Sequence, residues 1–199
     1  MDDATFHILG IAGSLRSGSY NRGLLRAAAE VLSPGVGLDV RPLDDIPLFS
    51  ADVMTEGDPS SVQNLKERIR AADAVLIATP EYNYSIPGVL KNAVDWASRP
   101  SKASVLRGKP IGIMGASGGD GGTVRAQMAL RQVFIQTNSL VMVQPELRVA
   151  QAGQKFDAAG GLVDAELRER LRVFVAALVA WARLVGRVES GTMPSSSGH

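Results

Sequence analysis

The sequence predicts an α/β fold built on one parallel sheet with helices on both faces, and three observations predict it. Continuous apolar runs recur at Phe6 to Ala12, Ala74 to Thr79 and Ile111 to Ala116, without the polar alternation of a sheet face open to water. Between them lie segments whose apolar residues return every third or fourth position. Strand and helix patterns alternate along the chain as βαβαβαβαβα, the order in which helical crossovers join parallel strands.

Each element has its own signal. Phe6 to Ala12 is broken only by His7 and Gly10 and reads as a buried first strand. A helix follows, with Ser19 or Asn21 as its cap and Leu24, Leu25, Ala28 and Leu32 at helical spacing, and Ser33-Pro34-Gly35 stops it. Leu38, Val40 and Leu43 alternate with polar residues, as in an edge strand. Pro, Asp and Gly predict a loop from Asp44 to Asp58. Ser60-x-x-Gln63 predicts a capping box for a helix facing inward with Val62, Leu65 and Ile69. Ala74 to Thr79 is the third strand. Pro87 suits the first turn of the next helix, where its missing N–H is harmless. Val89, Leu90, Ala93, Val94 and Ala97 form that helix's apolar stripe, and Arg99-Pro100 ends it. After the strand Ile111 to Ala116, the glycine-rich stretch Gly118 to Gly122 leads into a helix from Thr123 to Thr137. Leu140 to Val143 is the final strand, and residues 150–163 are a polar loop. Asp164 caps a last helix carrying Leu167, Leu171, Phe174, Leu178 and Val185 on one face. A single domain over residues 1–189 and a small, polar, disordered tail at 190–199 complete the expectation. Five parallel strands of this kind fit a flavodoxin-like three-layer sandwich of strand order 2-1-3-4-5. In that order a mononucleotide lies at the switch between the first and third strands.

Composition removes several classes of function. The chain has 199 residues, 45% hydrophobic and 21% charged, which suits one globular domain. The absence of cysteine excludes disulfides, thiolate metal sites and thiol redox chemistry. His7 and His199 alone leave little for a histidine metal site. A net charge of +1 without a basic block gives nucleic acid little to bind. No apolar run reaches the roughly 20 residues of a membrane span. The opening Met1-Asp2-Asp3 lacks the basic start of a signal peptide. A cytoplasmic enzyme with no membrane or nucleic-acid partner is expected.

Two loops carry the chemistry. Gly13-Ser14-Leu15-Arg16-Ser17-Gly18-Ser19-Tyr20-Asn21 runs from the first strand into a helix. A helix start offers backbone donors and a partial positive pole. Gly13 and Gly18 allow tight turns, Ser14, Ser17, Ser19 and Asn21 add neutral donors, and Arg16 adds a forked cation suited to phosphate oxygens. The spacing is neither that of a Walker loop nor Gly-x-Gly-x-x-Gly. The second loop is Pro80-Glu81-Tyr82-Asn83-Tyr84-Ser85-Ile86-Pro87-Gly88, after the third strand. Two prolines stiffen it, and its amide, phenol, carboxylate and aromatic surface suit a flat, polar-edged ring. A phosphate clamp and a ring clamp on neighbouring strand ends point to a mononucleotide with a large planar head. A third segment, Gly115-Ala116-Ser117-Gly118-Gly119, has the spacing of a hydrolase nucleophile elbow. The only later histidine is His199, at the end of the tail, so a catalytic serine lacks its base. Ser117 to Gly119 better suits the outer wall of the ring site.

Together these residues resemble the NADPH-dependent FMN reductase family of flavodoxin-like proteins, with bacterial quinone and chromate reductases the nearest in pattern. The marks are Gly-Ser-Leu-Arg-x-x-Ser-x-Asn at Gly13 to Asn21 and Pro-Glu-Tyr-Asn-Tyr-Ser-x-Pro-Gly at Pro80 to Gly88, extended by Lys91-Asn92-Ala93-Val94-Asp95-Trp96. The resemblance implies that Ser14, Arg16, Ser19 and Asn21 hold the FMN phosphate, with Tyr20 beside them. It implies that Pro80, Glu81, Tyr82, Asn83 and Tyr84 border the flavin and that Ser117 and Gly118 lie near its other side. It also implies homodimers or homotetramers meeting near the flavin, with the helices after Pro87 and Thr123 as contacts and Trp96 and Phe134 as either interface anchors or core. The expected activity is FMN-dependent transfer of hydride from NADPH or NADH to a small-molecule electron acceptor: a quinone, free flavin, azo compound or chromate. A shared donor and acceptor place implies ping-pong kinetics and no obligatory side-chain acid or base. The alternatives are a flavodoxin-type electron carrier without NAD(P)H turnover and a flavin-free nucleotide-binding or regulatory module. The near-neutral charge argues against the carrier, which needs a charged docking face.

Overall fold

The sheet runs β2-β1-β3-β4-β5 with every pairing parallel, in a computed structural model that describes residues 6–189. The expectation of a disordered tail at 190–199 lies outside the described residues. Strands β1 (Phe6–Ala12), β3 (Ala74–Ala78) and β4 (Pro110–Ala116) are the three apolar runs, and each is packed on both faces. Strand β2 (Val36–Arg41) forms the edge and is half covered. Successive side chains point to opposite faces. Ile8, Leu76 and Met114 therefore meet helices α1 (Tyr20–Glu30) and α6 (Ala165–Glu189) on one side. Leu9, Val75, Ile77 and Ile113 meet α3 (Ser60–Ala71), α4 (Gly88–Ala97) and α5 (Val124–Thr137) on the other. The result is the three-layer, flavodoxin-like sandwich with strand order 2-1-3-4-5. Register matters most for function. Ala12 pairs with Ala78, so β1 and β3 end level, while Ala78 pairs with Met114 and β4 runs two residues further, to Ala116; the loops of the three neighbouring strands leave the same end of the sheet.

Several local expectations change. The predicted strand Leu140–Val143 is shorter and is followed by a second piece. Strand β5 (Leu140–Val141) pairs with the start of β4, and β6 (Leu147–Val149) pairs with its end. Pro145, between them, has no N–H for the ladder. The loop Asp44 to Asp58 contains α2 (Ala51–Glu56), six residues capped by Ser50 and with none buried, so no apolar stripe announced it. The Ser60–Gln63 capping box does not form: Pro59 holds the cap position, and Gln63 Nε2 donates to Asp58 O at 2.7 Å. Pro87 is likewise the cap of α4 rather than a first-turn residue. The 150–163 segment is not simply polar loop, because Ala152, Phe156 and Leu162 are buried and join the core beside α1. Asp164 does cap α6, accepting from Leu167 N at 2.7 Å. Trp96 and Phe134 are both fully buried, so they are core and not interface anchors. Trp96 packs edge-on against Phe49 at 5.0 Å and donates from Nε1 to Pro47 O, fixing the 47–49 segment to α4. Among the described residues, no helix is long and apolar enough to cross a membrane, and no group of three metal-binding side chains occurs.

Candidate functional site

The phosphate loop begins where β1 stops. Gly13 N donates to Ala78 O at 2.8 Å and so extends the β1–β3 ladder by one bond. Ser19 N donates to Arg16 O at 3.1 Å, closing a tight turn, and the Ser19 hydroxyl accepts from Asn21 N as the cap of α1. No acidic residue occupies the first turn of α1, so its positive pole is left unneutralised. Among the described residues, the N–H groups of Leu15, Ser17 and Gly18 find no acceptor and Arg16 has no acidic partner. The Arg16 guanidinium instead stands 5.7 Å from the Tyr20 ring. Ser14 and Ser19 are buried at the base of this cradle. Open donors, a free cation and an uncompensated helix pole form a cradle of the kind a phosphate requires.

Asn21 has a different task from its neighbours. Its Nδ2 donates to Ala116 O and its Oδ1 accepts from Ala116 N, both at 2.9 Å, and the residue is 2% exposed. The side-chain amide thus acts as a strand partner for the last residue of β4. It fixes the start of α1, and with it the phosphate loop, to the strand that carries the third loop.

The ring loop is stiffened by more than its prolines. Tyr82 and Ser85 exchange two backbone hydrogen bonds of 3.0 Å, with Asn83 and Tyr84 at φ 49° and 66°. Two left-handed central residues are what a type I′ hairpin turn requires, and a bulky residue such as tyrosine rarely adopts that region. Tyr84 is 72% exposed and its ring lies 3.7 Å from the Arg125 guanidinium carbon. Glu81 does not face the site as a free carboxylate. It accepts from the backbone N–H groups of Arg125 and Ala126 and from Arg125 Nε, and so caps α5 from another loop. That cap is needed because Thr123, at the helix start, lies in the left-handed region and makes no side-chain cap bond.

The third loop closes the wall. Ser117 N donates to Val149 O at 3.0 Å, and Ala152 N donates to Ser117 O at 2.9 Å. Ser117 Oγ donates to Gly119 O. His7 lies at the amino end of β1, paired with Asp39 at 2.7 Å, whereas Ser117 follows the carboxyl end of β4. The two ends of a parallel sheet keep that histidine from the serine. His199 lies outside the described residues.

Beneath the loops the backbones are crowded. A Cβ on Gly115 would stand 2.0 Å from Thr123 Oγ1 and 2.4 Å from Thr79 O. Among the described residues, the non-glycine positive-φ positions are Asn83, Tyr84, Thr123, Gln151 and Asn138. Only Asn138, which ends α5, lies away from these loops. Strain gathered at the carboxyl end of the sheet is the pattern of a functional site held by its surroundings. Resolved pKa shifts fall elsewhere. The Arg41 guanidinium holds Asp45 below the usual carboxylate range, and the Lys155 ammonium does the same for Asp164.

All twelve site residues expected from the sequence lie on these three adjacent loops or at the start of α1. The structure separates candidates that offer open groups (Ser14, Arg16, Ser19 and Tyr20, then Tyr82, Asn83 and Tyr84, with Gly118) from Asn21 and Glu81, whose side chains brace the loops, and from Pro80 and Ser117, whose polar groups are bonded within the fold. Sequence reasoning missed Arg125. Arg125 meets Glu81 across 44 positions, and no local spacing signals that pair.

Comparison with known proteins identifies the family. The family model described as NADPH-dependent FMN reductase matches residues 6–154, which span the whole sheet. An NAD(P)H-dependent FMN reductase of Pseudomonas aeruginosa is 47% identical over 176 residues, covering 88% of this chain and 95% of that protein. A 2-hydroxy-1,4-benzoquinone reductase of Burkholderia sp is 40% identical, over 87% of this chain and 94% of that protein. The solved structure of a flavoenzyme NAD(P)H:(acceptor) oxidoreductase from Paracoccus denitrificans superposes with a TM-score of 0.82 at 33% identity, over 90% of this chain and 98% of that one. With a sheet matched from end to end and relatives aligned over nearly their full length, this chain belongs to the NADPH-dependent FMN reductase family.

Proposed function

We propose that this chain is an FMN-dependent NAD(P)H oxidoreductase that reduces quinones by a ping-pong mechanism, with free flavins, azo compounds and chromate as further acceptors. The observation that carries the reading is the level ending of the neighbouring strands β1 and β3, which sets an open anion cradle beside a rigid aromatic loop. Bound FMN supplies the two-electron chemistry that no side chain here provides. Arg16, Ser14, Ser19 and the free N–H groups after Gly13 would hold its phosphate. Pro80, Tyr82, Asn83 and Tyr84 would border its ring, with Ser117 and Gly118 on the other side. Asn21 and Glu81 keep those loops in register rather than supplying free donors or charge.

The reading requires no obligatory side-chain acid or base, so the chain's part is to position its ligands and leave one ring face open. NADPH or NADH and the acceptor would use that face in turn. The names of the Pseudomonas and Burkholderia relatives, an FMN reductase and a benzoquinone reductase, support the cofactor and the acceptor class. A homodimer or homotetramer meeting through α4 and α5 belongs to the reading, supported by the exposed Met128 and Ile135 on α5. So does a cytoplasmic location.

Steady-state NADPH oxidation with p-benzoquinone tests the proposal. Parallel double-reciprocal lines are expected, and intersecting lines would contradict the shared place. Protein that binds FMN yet turns over no NADPH or NADH would be an electron carrier. Protein that stays colourless in excess FMN would refute the reading.

A further inference from the structure

Residues 150–163 touch both halves of the site. Toward the third loop, Gln151 N donates to Gly119 O at 3.0 Å and Gln151 Nε2 donates to Asp120 Oδ1 at 2.9 Å. Toward the phosphate loop, Phe156 packs on Tyr20 with ring centroids 5.6 Å apart, and Arg26 Nη2 donates to Gly160 O at 2.8 Å. Gln151 adopts φ 48°, a conformation that an L side chain takes only when its surroundings fix it. Beside it the third loop is open, since a Cβ on Gly118 or Gly119 would meet no atom within 4 Å.

We propose that Gln151 and Asp120 form a specificity-determining pair for anionic substrates. The inference rests on the FMN and NAD(P)H reading above. Asp120 is the one acidic residue of the 117–123 loop, next to the two open glycines. The amide of Gln151 anchors its carboxylate beside the segment that follows β6. Released, that carboxylate samples the open mouth. Reduced nicotinamide nucleotides are polyanions and simple quinones are neutral, so a wandering negative charge disfavours the first class and not the second. Screening at physiological salt acts over about 8 Å, long enough for a charge at the mouth to be felt.

The test uses the full chain with Gln151→Gly, Asp120→Asn and the double variant. Glycine keeps the left-handed backbone without strain, so the substitution removes only the tie. Q151G is expected to raise KM for NADPH about two- to fourfold, the size of one unit-charge repulsion across about 5–8 Å of water, with kcat and the KM for p-benzoquinone nearly unchanged. The increase should shrink in high salt and vanish in the double variant. In FMN-free protein, hydrogen exchange at the Ala152 amide, which donates to Ser117 O, should quicken in Q151G. Equal KM changes for NADPH and benzoquinone, or additive effects of the two substitutions, overturn the pair while leaving the FMN reading intact. Parent protein that retains no FMN overturns both.

Discussion

Asn21→Ala separates a brace from a ligand. The substitution leaves the Ala116 N–H and C=O without their partners, and Ala116 is 2% exposed, so water does not replace the lost bonds. Each orphaned buried group costs about 1–3 kcal/mol, which puts the loss at about 2–6 kcal/mol for the pair. For a chain of this size, at about 2–4 °C per kcal/mol, that lowers Tm by about 4–24 °C. The assay is thermal unfolding of FMN-free protein, followed by FMN titration of the same samples. Both stability and FMN affinity should fall, because the start of α1 loses its tie to β4. An unchanged Tm with FMN affinity lost would show that Asn21 is a phosphate ligand and carries no structural load.

Three further substitutions probe neighbouring parts. Arg16→Ala should lower FMN affinity about tenfold or more, the worth of a charge-assisted hydrogen bond, with Tm of the FMN-free protein nearly unchanged because, among the described residues, the Arg16 guanidinium has no ion pair and meets only the Tyr20 ring, 5.7 Å away. Unchanged FMN affinity, measured by fluorescence quenching, would remove it from the cradle. Gly115→Ala forces a methyl against Thr123 Oγ1 and the Thr79 carbonyl, and overpacking against backbone should cost about 3 kcal/mol, read as a lower denaturation midpoint. A stability equal to the parent's would mean that Thr123 moves freely. Asp164 has a carboxyl held below its usual 3.8 by the Lys155 ammonium and the Leu167 N–H. A depressed folded value contributes stability above pH 3.8 that is lost as pH falls through it. Asp164→Asn should therefore melt below the parent at neutral pH, with the gap closing in acid; a gap constant down to pH 2 would contradict this.

Much of the molecule was legible because its strongest signals are local. Phe6–Ala12, broken only by His7 and Gly10, and Ala74–Ala78 are apolar runs of the kind a strand covered on both faces carries. Ser19 caps α1 as its residue type and position suggest. What stayed hidden depends on contacts between distant positions. Leu147–Val149 is three residues long, too short for a period, and becomes a strand only because the end of β4 is free to pair. Ser60 and Gln63 have capping-box spacing, but Pro59 takes the cap position and Gln63 turns to Asp58. Asn21 and Glu81 were legible as site residues by type, yet their partners, Ala116 and Arg125, lie far along the chain. Residue chemistry alone does not distinguish a ligand from a brace.

The central claim is that the anionic tail of the cofactor is gripped at the start of α1. Titration of the protein with FMN and with riboflavin, which lacks only the phosphate, tests it most directly. Two or more charge-assisted hydrogen bonds to the phosphate predict FMN binding tighter by a factor of about 100 or greater. Equal affinity for the two flavins would contradict the account.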